Sequence, residues 1–148
     1  MGIHAKQSGD GFTVVVVGGG FTGAAVAIHL LRDRRWPAEA QLVVVEPREE
    51  VGRGLAYGTN EPAHRINVPA GKMTLFPETA DDFLSYIEML GIGASDRILA
   101  GRDGFPYPQR SVFGDYVVSK LRPALAKREL THWRTTLETV EKLAEGYS

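Results

Sequence analysis

The sequence predicts an α/β fold with a parallel sheet, and three observations carry that expectation. An apolar β-branched run, Val14 to Val17, ends in Gly18-Gly19-Gly20-Phe21-Thr22-Gly23, a G-x-G-x-x-G turn with its glycines at 18, 20 and 23. A small-residue amphipathic helix follows the turn. A second apolar run, Leu42 to Val45, then ends in Glu46, which lies 46 − 23 = 23 residues past the last glycine. That is near the ~20 residues expected for the acidic member of a dinucleotide-binding βαβ unit. A glycine turn alone is a weak signal. With a strand before it, a helix after it and an acid ending the next strand, it points to a Rossmann-like domain.

Each element can be justified in order. Strand one spans about Phe12–Val17, and residues 1–11 before it read as a disordered lead-in. Gly18 lets the chain leave the strand in a tight turn, Gly20 leaves room for a pyrophosphate, and Gly23 lets the helix approach the sheet. The helix spans about Phe21–Arg34. Its first-turn amides, those of Phe21 and Thr22 among them, face the phosphates with the positive end of the helix dipole. Arg32, Arg34 and Arg35 fall at its end, where they complement the negative end. Strand two, Gln41–Glu46, delivers a carboxylate suited to the ribose hydroxyls of the adenosine half. The same charge repels a 2′-phosphate, which disfavours NADP at this site, although Arg48 lies close by. A purely structural turn has no need of Glu46.

From Pro47 to Pro77 no periodicity persists, and a loop that long in a compact domain is usually functional. Within it, Gly52-Arg53-Gly54 suits further contacts to the pyrophosphate or ribose, with Pro47 beside the acid, and Asn67-Val68-Pro69-Ala70 suits an amide presented to a ring edge. Lys72 and Arg110 are anion contacts only if they are not simply solvated charges. Thr79-x-x-Asp82 reads as a capping box for a helix with Phe83, Leu84, Ile87 and Leu90 on one face, stopped by Gly91. Gly91 to Pro108 reads as loop. A longer helix starts near Ser111, its buried stripe being Phe113, Val117, Leu121 and Leu125, with a kink or an early end at Pro123. His132–Leu137 reads as a third parallel strand, and Val140–Tyr147 as the start of another.

Composition narrows the function. The 148 residues suit one domain, 12–148, and the net charge of −1 gives no electrostatic case for nucleic acid or an anionic membrane. The absence of cysteine excludes disulfides and thiolate chemistry and fits the cytoplasm. No stretch approaches the ~20 apolar residues of a membrane span, and the N-terminus lacks the apolar core of a signal peptide. His29, His64 and His132 share no metal-binding spacing, so no metal is expected. No G-x-S-x-G, Walker-type lysine or paired carboxylate supplies a catalytic residue, and the catalytic group and the small-molecule substrate stay unassigned.

The residues VVVVGGGFTGAAVAIHLL, VVVEP, GRGLAYGT, HRINVPAGKM and PYPQRSVFGDYVVSKL together resemble the N-terminal domain of a bacterial family of FAD-NAD(P)-binding proteins. Arg110, Gly114 and Tyr116 form its R-x-x-x-G-x-Y pattern. The resemblance implies a two-dinucleotide-binding flavoprotein fold, distantly similar to flavin N-hydroxylating monooxygenases, with FAD as the cofactor. Spacing alone says only dinucleotide, so NAD also fits. The family's members continue into a second nucleotide fold. The expectation is therefore an incomplete, N-terminal part of a flavin-dependent, NAD(P)H-linked oxidoreductase. The alternatives are a non-catalytic NAD- or FAD-binding module and a truncated, inactive gene product. A homo-oligomer covering an open sheet edge is compatible with each.

Overall fold

The computed structural model describes residues 11–143 and 146–147. Three strands, β1 (Thr13–Val17), β2 (Gln41–Val45) and β3 (Thr131–Trp133), form a parallel sheet in the order β1-β2-β3. Thr13 pairs with Gln41 and Val17 with Val45, then Val43 with Thr131 and Val45 with Trp133. A parallel strand between two neighbours with both faces covered reads as an unbroken apolar run. Leu42 to Val45 are accordingly all buried. β1 lies at the edge and leaves Val15 and Val17 45% and 58% exposed.

The crossover is α1 (Phe21–Arg32), which buries Ala24, Ala27 and Ile28 at the three- and four-residue spacing of one helix face. It ends two residues short of the Arg34 predicted from sequence. Asp33 is extended, and its carboxylate takes the Arg35 amide at 2.8 Å and the Arg35 guanidinium at 2.7 Å. This local side-chain bonding competes with the next helical turn. Of the three arginines, only Arg32 sits in the last turn, where it pairs with Glu78 and lies over the Phe76 ring.

The connection after β2 is more ordered than its composition suggests. It holds α2 (Gly54–Tyr57) and a 3-10 turn at Ala70–Lys72, and it buries Val51, Ile66, Ala70, Leu75 and Phe76. α3 (Asp82–Met89) follows, and Gly91, with φ +63°, stops it as predicted. The expected capping box does not form. Asp81 is the N-cap without a side-chain bond, and the Asp82 carboxylate is drawn to the Tyr116 hydroxyl at 2.7 Å and Lys120 Nζ at 2.8 Å. A charge-assisted tertiary pair outcompetes a local cap. Part of the expected 91–108 loop is also structured, as α4 (Ile92–Ser95) and an Ala100–Pro106 bridge.

α5 (Arg110–Ala126) is the central core element, with Phe113, Tyr116, Val117 and Leu121 at most 1% exposed. The helix runs on past Pro123 to Ala126. Proline costs one backbone bond, and the last turn is closed instead by the Lys127 amide donating to Pro123 O at 3.0 Å. Rings from four helices meet around α5, with Phe113 4.7 Å from Tyr57, 4.9 Å from Phe83 and 5.4 Å from Phe21.

β3 is shorter than the predicted His132–Leu137, because the chain leaves the sheet: the Thr135 amide turns back to Trp133 O at 2.9 Å instead of bonding to β2. The predicted strand over Val140–Tyr147 is also corrected. Lys142–Leu143 folds back antiparallel onto Gly146–Tyr147 instead of running on as one strand. A pairing between segments so near in sequence costs little chain entropy. The predicted lead-in falls outside the described residues except for Gly11, which lies against the Glu39 carbonyl.

Candidate functional site

The four glycines of the first turn are held there for different reasons. Gly18 has φ +91°, and its amide donates to Val45 O at 2.9 Å. A Cβ on Gly19 would lie 2.6 Å from Glu46 Cβ, and one on Gly23 would lie 1.9 Å from Gly18 O. These three positions are demanded by backbone conformation or packing. Gly20 is not. Its φ of −69° and ψ of −171° suit any residue, and a Cβ there would meet only Gly54 Cα at 3.7 Å. The space beside it is open, and it adjoins the first turn of α1. The amides of Phe21, Thr22 and Gly23 donate to no acceptor among the described residues. The Phe21 ring points the other way, into the aromatic cluster, while Thr22 is exposed.

Glu46 is buried, 3% exposed, at the floor of this turn. Its Oε2 accepts the Gly19 amide at 2.9 Å, and its Oε1 accepts the Arg48 amide at 2.9 Å and the Arg48 guanidinium at 3.0 Å. Burial alone would raise its pKa. The Arg48 and Gly19 donors and the Arg48 charge outweigh burial and hold it below the ordinary carboxylate value, so Glu46 is an anion at neutral pH. Its main chain is fixed by β3, with the amide donating to Trp133 O at 3.1 Å and the carbonyl accepting from His132 Nε2 at 2.8 Å. Pro47 beside it is exposed, and its carbonyl takes a long bond from Arg134 Nε at 3.4 Å.

A second glycine loop crosses the first. Gly52, at φ +119°, donates its amide to Gly19 O at 2.7 Å. Gly54, at φ +54°, approaches so closely that a Cβ on it would lie 2.9 Å from Gly20 Cα. An open depression of about 480 Å³ borders this crossing, lined by Arg48, Glu50, Arg53, Gly54, Leu55 and Thr59 among others. Arg53 faces inward on the fold. Its guanidinium pairs with Glu50 and Asp115 and reaches Ser111 O at 3.4 Å. Gly114 of α5 packs below it, with no room for a Cβ against Tyr57 O.

Asn67 is exposed on a segment fastened to the start of α5. Arg65 bridges Gln109, the Ile66 amide donates to Pro108 O at 3.1 Å, and the Arg110 amide donates to His64 O at 2.9 Å. Through α5 and Gly114 this segment is joined to α2 and hence to the glycine crossing. Arg110 Nε is taken by Arg65 O at 3.0 Å, whereas Lys72 is exposed. His29 bonds Leu75 O and His64 bonds Thr59 Oγ1. Among the described residues no group of His, Asp and Glu is placed to hold a metal.

Three features of this region go beyond what the sequence predicts: the Gly20–Gly54 crossing, the His132 bond to Glu46, and a bidentate Arg65–Asp96 pair at 2.7 Å. The G-R-G spacing hints at the first. The other two join residues 86 and 31 positions apart, with no local mark.

A family model for FAD-NAD(P)-binding proteins matches residues 15–148. No curated protein matches the sequence. Among solved structures, the crystal structure of native FqzB is similar, with a TM-score of 0.50 at 15% identity over 88% of this chain and 30% of that one. The lysine monooxygenase NbtG from Nocardia farcinica gives a TM-score of 0.46 at 18% identity over 89% of this chain and 37% of that one. The chain thus spans about a third of the length of these structures. At such identities the FqzB likeness shows the fold alone. No described helix is long and apolar enough to cross a membrane.

Proposed function

The chain belongs to the FAD-NAD(P)-binding family, and from that premise we propose that it holds the adenosine and pyrophosphate half of FAD for a flavin-dependent, NAD(P)H-linked oxidoreductase. The observation that carries the reading is the open space at Gly20, bounded by the free first-turn amides of α1 and by the Glu46 anion. Nothing in the packing requires a glycine there, and a pyrophosphate is what a helix N-terminus without side-chain crowding receives.

The geometry is consistent with the following division of labour. The amides of Phe21, Thr22 and Gly23 receive phosphate oxygens, and Gly18 and Gly19 shape the turn that aims them. Glu46 accepts ribose hydroxyls once the Arg48 guanidinium releases Oε1, the Arg48 amide staying in place, and its charge selects against a 2′-phosphate. Arg53 braces the second loop against α5, while Asn67, with Pro47 at the other end of the connection, borders the cofactor. Bound FAD supplies hydride acceptance from NAD(P)H and onward electron transfer, and the protein supplies position and electrostatics. The resemblance to flavin N-hydroxylating monooxygenases makes a monooxygenase one form of this activity, acting on a small molecule in the cytoplasm.

Titration with FAD and with NAD tests the reading. FAD binding with flavin absorbance is expected, and Glu46→Arg should weaken it roughly ten- to hundredfold, the worth of a charge-assisted hydrogen bond of about 1.5–3 kcal/mol. A colourless protein stabilised by NAD alone would favour a non-catalytic binding module. Unchanged affinity for both dinucleotides in the variant would refute the role of Glu46.

A further inference from the structure

β3 grips Glu46 at a point where the parallel ladder ought to end. In a parallel pair the amide and the carbonyl of one residue bond to two residues of the neighbouring strand that lie two apart. The Glu46 amide makes the first bond, to Trp133 O at 3.1 Å. The donor for its carbonyl should be the amide of Thr135. That amide instead turns back to Trp133 O at 2.9 Å, and the chain leaves the sheet. The missing rung is supplied by a side chain: His132 Nε2 lies 2.8 Å from Glu46 O. A carbonyl only accepts, so the hydrogen is on Nε2.

We propose that His132 is a positioning residue that sets the Glu46 carboxylate for the ribose of the cofactor, an inference that rests on the reading of Glu46 given above. The peptide between Glu46 and Pro47 can be anchored only through its oxygen, since Pro47 carries no amide hydrogen, and His132 holds that oxygen. With that peptide fixed, the Arg48 amide returns to Oε1 and the Gly19 amide meets Oε2, and the carboxylate waits in one orientation. Without the imidazole the peptide plane is free to turn, and the acceptor loses its preorganisation. The effect belongs to the hydroxyl that Glu46 receives, and not to the phosphates.

Calorimetric titration of the whole chain with ADP and with 2′,3′-dideoxy-ADP, which keeps the diphosphate and lacks both ribose hydroxyls, separates the two. The wild-type protein should prefer ADP. His132→Leu should weaken ADP about five- to tenfold, the worth of one hydrogen bond, and leave 2′,3′-dideoxy-ADP nearly unchanged, so that the preference collapses. His132→Gln, whose amide can donate to the same carbonyl, should restore it. His132→Asn, polar but too short to reach, should behave like the leucine variant and carries the test if leucine disturbs folding, which circular dichroism monitors. A folded variant that keeps the wild-type preference, or one that loses affinity equally for both nucleotides, overturns the proposal. If wild-type protein and Glu46→Gln alike show no preference, the ribose reading itself has failed, and the proposal with it.

Discussion

The turn before α1 and the long connection from β2 to α5 handle their polar groups in opposite ways. In the turn, main-chain donors face open space, and the Glu46 carboxylate lies beneath them. In the connection, the conspicuous charges are already bound to the protein. Arg53 joins Glu50 and Asp115, Arg65 joins Asp96, Arg110 joins the Arg65 carbonyl, and Asp82 joins Tyr116 and Lys120. Residues with the most evident chemistry are building material here. The candidate binding surface is mostly backbone, and its signature is glycine that packing does not explain.

This contrast can be broken first at Arg65. Its pair with Asp96 is mostly buried, at 18% and 9% side-chain exposure. Arg65→Met strands the carboxylate and should cost about 3–5 kcal/mol of stability, read by chemical denaturation. A variant as stable as wild type would mean that the connection is not held by its charges. The reverse behaviour is expected at Gly20. Gly20→Val should reduce dinucleotide affinity by at least about a hundredfold, or about 2.7 kcal/mol, because the side chain occupies the phosphate space. Its melting temperature should stay close to wild type, since the backbone there is unstrained. Retained binding would sink the cradle reading.

Two smaller effects sharpen the same comparison. Tyr116 is fully buried, and burial followed by its bond to Asp82 pushes its pKa well up, so it stays neutral, donating to Asp82 and accepting from the Leu75 amide. Tyr116→Phe removes that bond and leaves the Leu75 amide, 3.3 Å from the hydroxyl, without its acceptor. A loss of about 1–3 kcal/mol of stability is expected, with unchanged dinucleotide affinity measured by titration. The smallest effect concerns acid. Glu46 has a folded pKa below its ordinary 4.5. Its contribution to stability is therefore complete above that value and is lost as pH falls through the lower folded value. Glu46→Gln should make the decline of melting temperature between about pH 5 and pH 3 shallower. An equally steep decline would show that the carboxylate gains nothing from its donors.

How legible these regions were in the sequence follows from the range of their contacts. The βαβ unit is written in local periodicity and turn chemistry, so Val14–Val17, the glycine turn and Glu46 could be placed from sequence. The α5 stripe of Phe113, Val117 and Leu121 was legible for the same reason. Asp82 was misread, because Thr-x-x-Asp is a local signal, whereas its real partners lie 34 and 38 residues away. The length of β3 depended on where the chain turns out of the sheet at Thr135, and the fold-back at Lys142–Tyr147 on a choice between two partners for one apolar run. Among the candidate site residues, Gly20 is set apart only by the open space around it in the folded chain. No spacing distinguishes it from Gly18 or Gly23.

Among the described residues β1 pairs on one side alone, and this bears on how this stretch of chain behaves by itself in a tube. TVVVV has no proline or charge to blunt it, and it offers unpaired backbone alongside exposed Val15 and Val17. Such an edge is a template for another chain. With a net charge of only −1, long-range repulsion between molecules is feeble. Concentration and storage time therefore become structural variables. Aggregates of this chain should grow strand by strand from β1, while the interior of β2, walled in on both sides, takes no part.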